Sequence, residues 1–290
     1  MALPLAVIAV SIAVGMVTNR RMRSSLPLAV FHASLSLLCV LAGLAVVWRF
    51  EGRVEIVEGT AFAPESVEVV RAAPGGRQGP AAGAFEQADV RVHFRGALHR
   101  ERTESVLQVG DRAVVLSDKE GFVVDGFRFA PTSNKGFALA LTWRGDDGSV
   151  ESGWLHLPSF PAFEWKQENV WQTPGGMRVT IGVVPPAVPQ KEAWVLDRRL
   201  APRAVHVIAG DERTTTTLGG AVRVPGGKLQ VDEVRLWMGY RVTRDPAAPW
   251  LFVVASVGLA ALGLHVWRGP SRRRAVALRE REETDGLVRS

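Results

Sequence analysis

The chain has 290 residues, 47% apolar and 22% charged, which excludes a disordered chain and leaves room for one large domain or two small ones. Its formal charge is +6, yet residues 49 to 248 hold 25 Lys and Arg against 25 Asp and Glu. The excess lies in Arg20, Arg21 and Arg23 and in the stretch from Arg268, where seven cations face four anions, so no basic face for nucleic acid is indicated.

Both basic places border uncharged apolar runs: Ala2 to Val17, Leu26 to Trp48 and Trp250 to Trp267. As helices these measure roughly 24, 34 and 27 Å, against a bilayer core of about 30 Å. Trp250 and Trp267 suit interfacial anchors, and the short first run spans if its ends or the lipid adjust. A cleaved leader carries its positive charge ahead of the apolar core; here the charge follows. The chain therefore reads as a transmembrane helix over 1–18, a cytoplasmic basic loop over 19–25 and a second transmembrane helix over 26–48. A β-rich domain over 49–248, a third transmembrane helix over 249–268 and a cytoplasmic basic tail over 269–290 follow. The positive-inside rule puts Asn19 to Ser25 and Arg272 to Arg274 in the cytoplasm and the large domain on the opposite side of the plasma membrane. The polybasic tail suits a stop-transfer flank or contact with anionic membrane lipid.

The only cysteine, Cys39, falls in the second span, so no disulfide framework supports the external domain and a hydrophobic core must. Alternating apolar segments recur there: Arg53 to Val57, Val90 to Phe94, Ala113 to Leu116, Phe137 to Trp143, Met177 to Val183, Ala204 to Ile208 and Ala221 to Val224. Gly145 to Gly148, Pro174 to Gly176 and Pro225 to Gly227 punctuate them as hairpin loops do, which predicts an all-β sandwich or open barrel. Ala72 to Ala84, rich in Gly, Ala and Pro, reads as a loop or insertion.

Chemistry is sparse in this domain. His93, His99, His156 and His206 show no metal-binding spacing, although His93 and His99 share a predicted hairpin. Ser159 lacks the Gly-x-Ser-x-Gly turn of hydrolases. Trp143, Trp154, Trp165 and Trp171 suit core and interface packing.

The spans carry more. His32 lies six residues into the second span, roughly 9 Å from its cytoplasmic end, where an ionisable group needs a partner or a ligand. Ser36, Cys39 and Gly43 share its helix face, a small and weakly polar stripe that admits another helix or a flat cofactor. His265 sits near the cytoplasmic end of the third span, where interfacial snorkelling accounts for it.

The run Phe31-His32-Ala-Ser-Leu-Ser-Leu-Leu-Cys-Val-Leu-Ala-Gly43, followed by Phe50-Glu-Gly52-Arg53-Val54 and Glu58-Gly59, resembles the ResB (CcsB) family of cytochrome c biogenesis proteins. The far end agrees: Tyr240-Arg-Val-Thr-Arg-Asp245-Pro246 before Trp250 and an apolar span resembles the family's Asp-Pro element ahead of its last helix. The resemblance covers both flanks and the layout of the chain, and the external domain only in being β-rich; most members carry one more helix ahead of the first span.

The resemblance implies a subunit of a system II cytochrome c synthase. Such a subunit works with a polytopic partner of the ResC or CcsA type to carry haem b outward for attachment to apocytochrome c, and is not an enzyme by itself. It implies that His32 is a ligand to haem iron, with an opposing ligand from the partner, or, within this chain, from His265. Ser36 and Gly43 then mark the helix face nearest haem or partner. The alternative is a non-catalytic, membrane-anchored β-domain serving as scaffold or sensor, with His32 packing between helices.

Overall fold

A computed structural model describes residues 2–23, 25–72, 79–159, 167–184, 187 and 189–288, with side chains as far as Arg268. Residues 73–78 of the Ala72 to Ala84 loop, and Trp165, lie outside the described residues. The chain divides into a helical unit, Met1–Phe50 and Asp245–Ser290 with Ala72–Gly76, and a β unit, Glu51–Arg71 and Arg77–Arg244.

The helices are α1 (Ala2–Thr18), α2 (Leu26–Trp48) and α3 (Ala248–Val288). Pro27 in the first turn of α2 occupies a position that needs no N–H partner. The Asp245-Pro246 pair works as a helix start: Asp245 Oδ1 accepts the N–H groups of Ala247 and Ala248, each at 3.1 Å. Two helical stretches, Leu26–Trp48 and Ala248–Arg268, are long and apolar enough to cross a membrane, and α1 is a shorter apolar helix. Beyond Arg268 the stretch read as a basic tail continues α3 as far as Val288.

The β unit is all-β. Its strands in the first half are β1 (Phe50–Val57), β2 (Thr60–Ala61), β3 (Glu68–Arg71), β4 (Glu86–Phe94), β5 (Arg100–Val109), β6 (Arg112–Ser117), β7 (Phe122–Val124) and β8 (Phe127–Gly145). There follow β9 (Val150–His156), β10 (Glu168–Gln172), β11 (Arg178–Val183), β12 (Trp194–Leu196), β13 (Ala204–Ala209), β14 (Glu212–Thr217), β15 (Ala221–Val224) and β16 (Gly227–Arg244). All seven segments read from apolar alternation fall on strands, except that Met177 lies just ahead of β11, and the three Gly-rich loops close the β8–β9, β10–β11 and β15–β16 hairpins.

The strands form three sheets. A seven-stranded sheet runs β3-β1-β16-β8-β7, with β15 also on β16 and β9 on β8; a five-stranded sheet runs β12-β4-β5-β6 with β2 on β4; a four-stranded sheet runs β10-β11-β13-β14. The long β8–β16 pair is the spine, antiparallel from Gly227 opposite Gly145 to Thr243 opposite Arg128, with register breaks after Val231 and Met238.

Alternation buries one face of β1 and β4. Phe62, Phe85, Phe122 and Phe129 interlock with ring centroids 4.8 to 5.3 Å apart, joining the seven- and five-stranded sheets. Truncating such a ring to alanine costs about 3–5 kcal/mol. Beside this cluster the chain's only tyrosine, Tyr240, is 1% exposed. Its hydroxyl donates to Gln87 Oε1 and meets Ser105 Oγ, while Gln87 Nε2 donates to the Asp89 carbonyl at 2.9 Å and to Ser105 Oγ at 3.0 Å. A closed network of this kind fixes how two sheets register without leaving a buried polar atom unpaired.

Candidate functional site

In the helical unit α2 packs against both α1 and α3. The stripe read from spacing is divided between them and the open side. Ser36 Oγ donates to the carbonyl of Ala9 at 3.0 Å. About two turns further, a Cβ built on Gly43 would lie 3.9 Å from the Ala2 carbonyl oxygen and 4.0 Å from Leu5 Cβ. Ser36 and Gly43 therefore seat α1, the close approach that small residues permit between apolar helices. On the other side a Cβ on Gly258 would come 3.0 Å from Ser34 Cβ, so α2 and α3 also meet at small residues.

His32 is half-buried and belongs to neither seam's hydrogen bonds. Its Nδ1 lies 2.8 Å from the carbonyl oxygen of Leu28, one turn earlier on α2. A carbonyl only accepts, so Nδ1 carries a proton, and in the neutral form of the ring the lone pair is then on Nε2. No hydrogen-bond partner meets Nε2 among the described residues. Phe31 stands edge-on to the ring, with centroids 5.3 Å apart at 73°. A backbone carbonyl fixing the tautomer from behind while the far nitrogen stays open is the arrangement that orients a histidine towards a metal.

His265 does something else. Its Nδ1 is 3.0 Å from Ser25 Oγ, and Ser25 makes no side-chain cap for α2. The contact ties α3 to the start of α2, level with Ser25, whereas His32 lies seven residues further along, roughly 10 Å at the helical rise. The structure thus brings Ser36 and Gly43 together with α1 and leaves His32 and His265 on separate partners.

The β unit holds polar groups that spacing did not single out. His206, 4% exposed, places Nε2 3.0 Å from Glu168 Oε1. The pair closes over Gly182, where a Cβ would collide with both side chains. His156 Nδ1 is 2.7 Å from Glu55 Oε2, with its ring stacked 5.6 Å from Trp237. His93 Nε2 stands 3.3 Å from Glu104 Oε2, away from His99, which lines a different cleft with Arg95 and Lys191. Trp143 is buried, 5.4 Å from Trp171, and Trp154 carries Arg235 over its ring. Lys135 is fully buried; its Nζ donates to Thr103 Oγ1 at 2.7 Å, and burial pushes the amine down to about 8. Glu58 is pushed up to about 7, by burial first and then by the neighbouring Asp89 carboxyl. Apart from His93 and Glu104, which face each other across the β4–β5 hairpin, these pairs join residues far apart in the chain, so no local pattern announced them.

Among the described residues no three His, Cys, Asp or Glu side chains converge to hold a metal ion. In comparison with known proteins, no family model matches the chain and no curated protein matches it.

Proposed function

We propose that the protein is the haem-delivery subunit of a system II cytochrome c synthase. In this reading all three helices cross the plasma membrane, the two basic flanks stay in the cytoplasm, and the β unit lies outside. The observation that carries it is the half-buried His32, whose Nδ1 proton is spent on the Leu28 carbonyl and whose Nε2 lone pair is left open. A neutral imidazole presented this way is an axial ligand for haem iron. The chain offers one such nitrogen at this level, since His265 is engaged with Ser25 further along the bundle. The opposing ligand accordingly comes from a polytopic partner of the ResC or CcsA type, and apocytochrome c receives the haem outside.

Co-expression with such a partner and a reporter apocytochrome tests the reading. His32→Ala is expected to drop covalent haem in the reporter to background, with added imidazole restoring part of it. Undiminished maturation would exclude His32 from the haem path.

A second reading has one observation in its favour. Ser36 and Gly43 are spent on α1, as they would be in a bundle whose only task is to anchor a β-domain scaffold or sensor. It requires that the protein bind no haem and that maturation survive His32→Ala.

A further inference from the structure

The β unit contains an open cleft of about 770 Å³ where the Glu58-Gly59 turn after β1 meets β4, β5 and the end of β12. Glu58 forms part of its wall. The residue is only 3% exposed, and its Oε2 has no hydrogen-bond donor. The backbone around it cannot swing out. Glu58 N–H donates to the Leu236 carbonyl at 2.8 Å, Gly59 N–H to the Gln87 carbonyl at 2.6 Å, and Arg235 Nη1 to the Glu58 carbonyl at 2.9 Å. Gly59 has φ +74°, and a Cβ there would strike the Arg235 guanidinium, so the turn accepts glycine only.

The other charged groups facing Glu58 sort by their partners. On β4, Asp89 is paired with Arg91 at 2.5 Å; on β5, Glu104 is paired with Arg102 at 3.0 Å and lies near His93. On β16, Arg235 is held by Glu233 at 2.9 Å. After β12, Asp197 accepts the N–H of Arg199 at 2.9 Å. Arg198 and Arg199 are exposed and have no carboxylate within ion-pair distance among the described residues, although the Arg198 charge reaches Glu58 and partly offsets the upward push on its carboxyl. With Glu58 ionised, the four carboxylates of Glu58, Asp89, Glu104 and Asp197 balance the four guanidiniums of Arg91, Arg102, Arg198 and Arg199.

A buried carboxylate oxygen without a donor calls for N–H groups. A metal ion needs more ligands than Glu58 and Asp89 supply, and no third side chain joins them among the described residues. An alkylammonium has one charge and three donors, which two adjacent carboxylates can satisfy. The guanidiniums of Arg198 and Arg199 call for an anion beyond it, and once Glu58 is ionised the cleft is in charge balance and favours a ligand of no net charge. We propose that this cleft binds a zwitterionic group, an alkylammonium against Glu58 and Asp89 with its carboxylate on Arg198 and Arg199. Such a group is presented by a Lys-Glu step in a polypeptide or by a free ω-amino acid. Burial and the neighbouring Asp89 push the Glu58 carboxyl up to about 7, so below that pH the free protein holds a proton there; the ammonium takes its place, and that proton leaves to solvent. All the residues of the site belong to the β unit, and the proposal does not rest on the haem reading.

The test is calorimetric titration of the full chain in detergent with acetyl-Lys-Glu-amide, acetyl-Lys-Lys-amide and 6-aminohexanoate. The Lys-Glu probe is expected to bind at least tenfold more tightly than Lys-Lys, and to weaken by up to about tenfold per pH unit below 7 as the carboxyl pair takes up its proton. Binding of 6-aminohexanoate alone assigns the site to a free amine, and binding of the dipeptide assigns it to a polypeptide. Glu58→Gln is expected to abolish binding. Arg198→Glu combined with Arg199→Glu, at exposed positions, is expected to erase the preference for Lys-Glu over Lys-Lys while the fold persists. Equal affinity for the two dipeptides, binding independent of pH, retained binding in Glu58→Gln, or no binding of any probe overturns the proposal.

Discussion

Lys135 offers a measurement of what this fold spends to bury a charge. Its side chain is fully buried with one close acceptor, Thr103 Oγ1 at 2.7 Å, and Asp118 Oδ1 only at 4.0 Å. Burial, and then the nearby Arg100, lower its amine from 10.5 to about 8 against the pull of Asp118. At about 1.4 kcal/mol per pH unit, a lysine that must stay protonated at pH 7 costs the folded state about 3 kcal/mol. Because the folded value lies below the unfolded one, that cost is fully present below pH 8. It disappears as pH rises to 10.5, where the unfolded chain also loses its proton; at pH 9.5 about 1.5 kcal/mol remains. Lys135→Met leaves no orphan. Thr103 Oγ1 still accepts from Arg100 Nη1 at 3.1 Å, and Asp118 keeps Arg100 and the Thr103 N–H. The variant is therefore expected to be more stable than the parent by about 1–3 kcal/mol at pH 7, with the gain roughly halved at pH 9.5. Chemical unfolding of the full chain followed by tryptophan fluorescence at both pH values reads this out. A variant less stable at pH 7, by an amount that does not change with pH, refutes the reasoning.

Two further outcomes test the packing. Burial raises the Tyr240 phenol above its ordinary range, and as the only tyrosine it gives an unmixed signal: absorbance at 295 nm is expected to stay flat through pH 11 until unfolding, and Tyr240→Phe to cost about 1–3 kcal/mol by leaving Gln87 and Ser105 short of a partner; a normal titration near pH 10 would contradict this. Gly182→Ala drives a Cβ into Glu168 and His206 and is expected to destabilise by about 1–3 kcal/mol in thermal unfolding, with neutrality showing that the pair can part at no cost.

Much of the architecture is legible in the sequence because it follows from patterns with a period. Uncharged runs give the helices. Alternation gives β1 and β4, whose outward residues are mostly polar and whose inward ones are buried. Asp245-Pro246 signals the start of α3 through its capping chemistry. Other strands are hidden. Glu212–Thr217 has no buried face at all, and β5 opens with three exposed polar residues before its apolar half begins. Three sheets, where a sandwich or open barrel was the expectation, depend on which strands pair across long separations. The site divides the same way. Spacing puts His32, Ser36 and Gly43 on one face, but only the fold shows α1 covering Ser36 and Gly43 while His32 keeps Nε2 open. Glu58 with Asp89 and Glu168 with His206 meet through tertiary structure, and their chemistry is invisible until the strands are placed.

The central claim, that His32 is a ligand to haem in transit, is tested most directly by the absorption spectrum of the protein purified in detergent with its polytopic partner. A Soret band that is lost in His32→Ala and returns when imidazole is supplied to fill the vacated position is expected. A band of unchanged position and intensity in His32→Ala, or a complex that carries no haem under any loading condition, contradicts it.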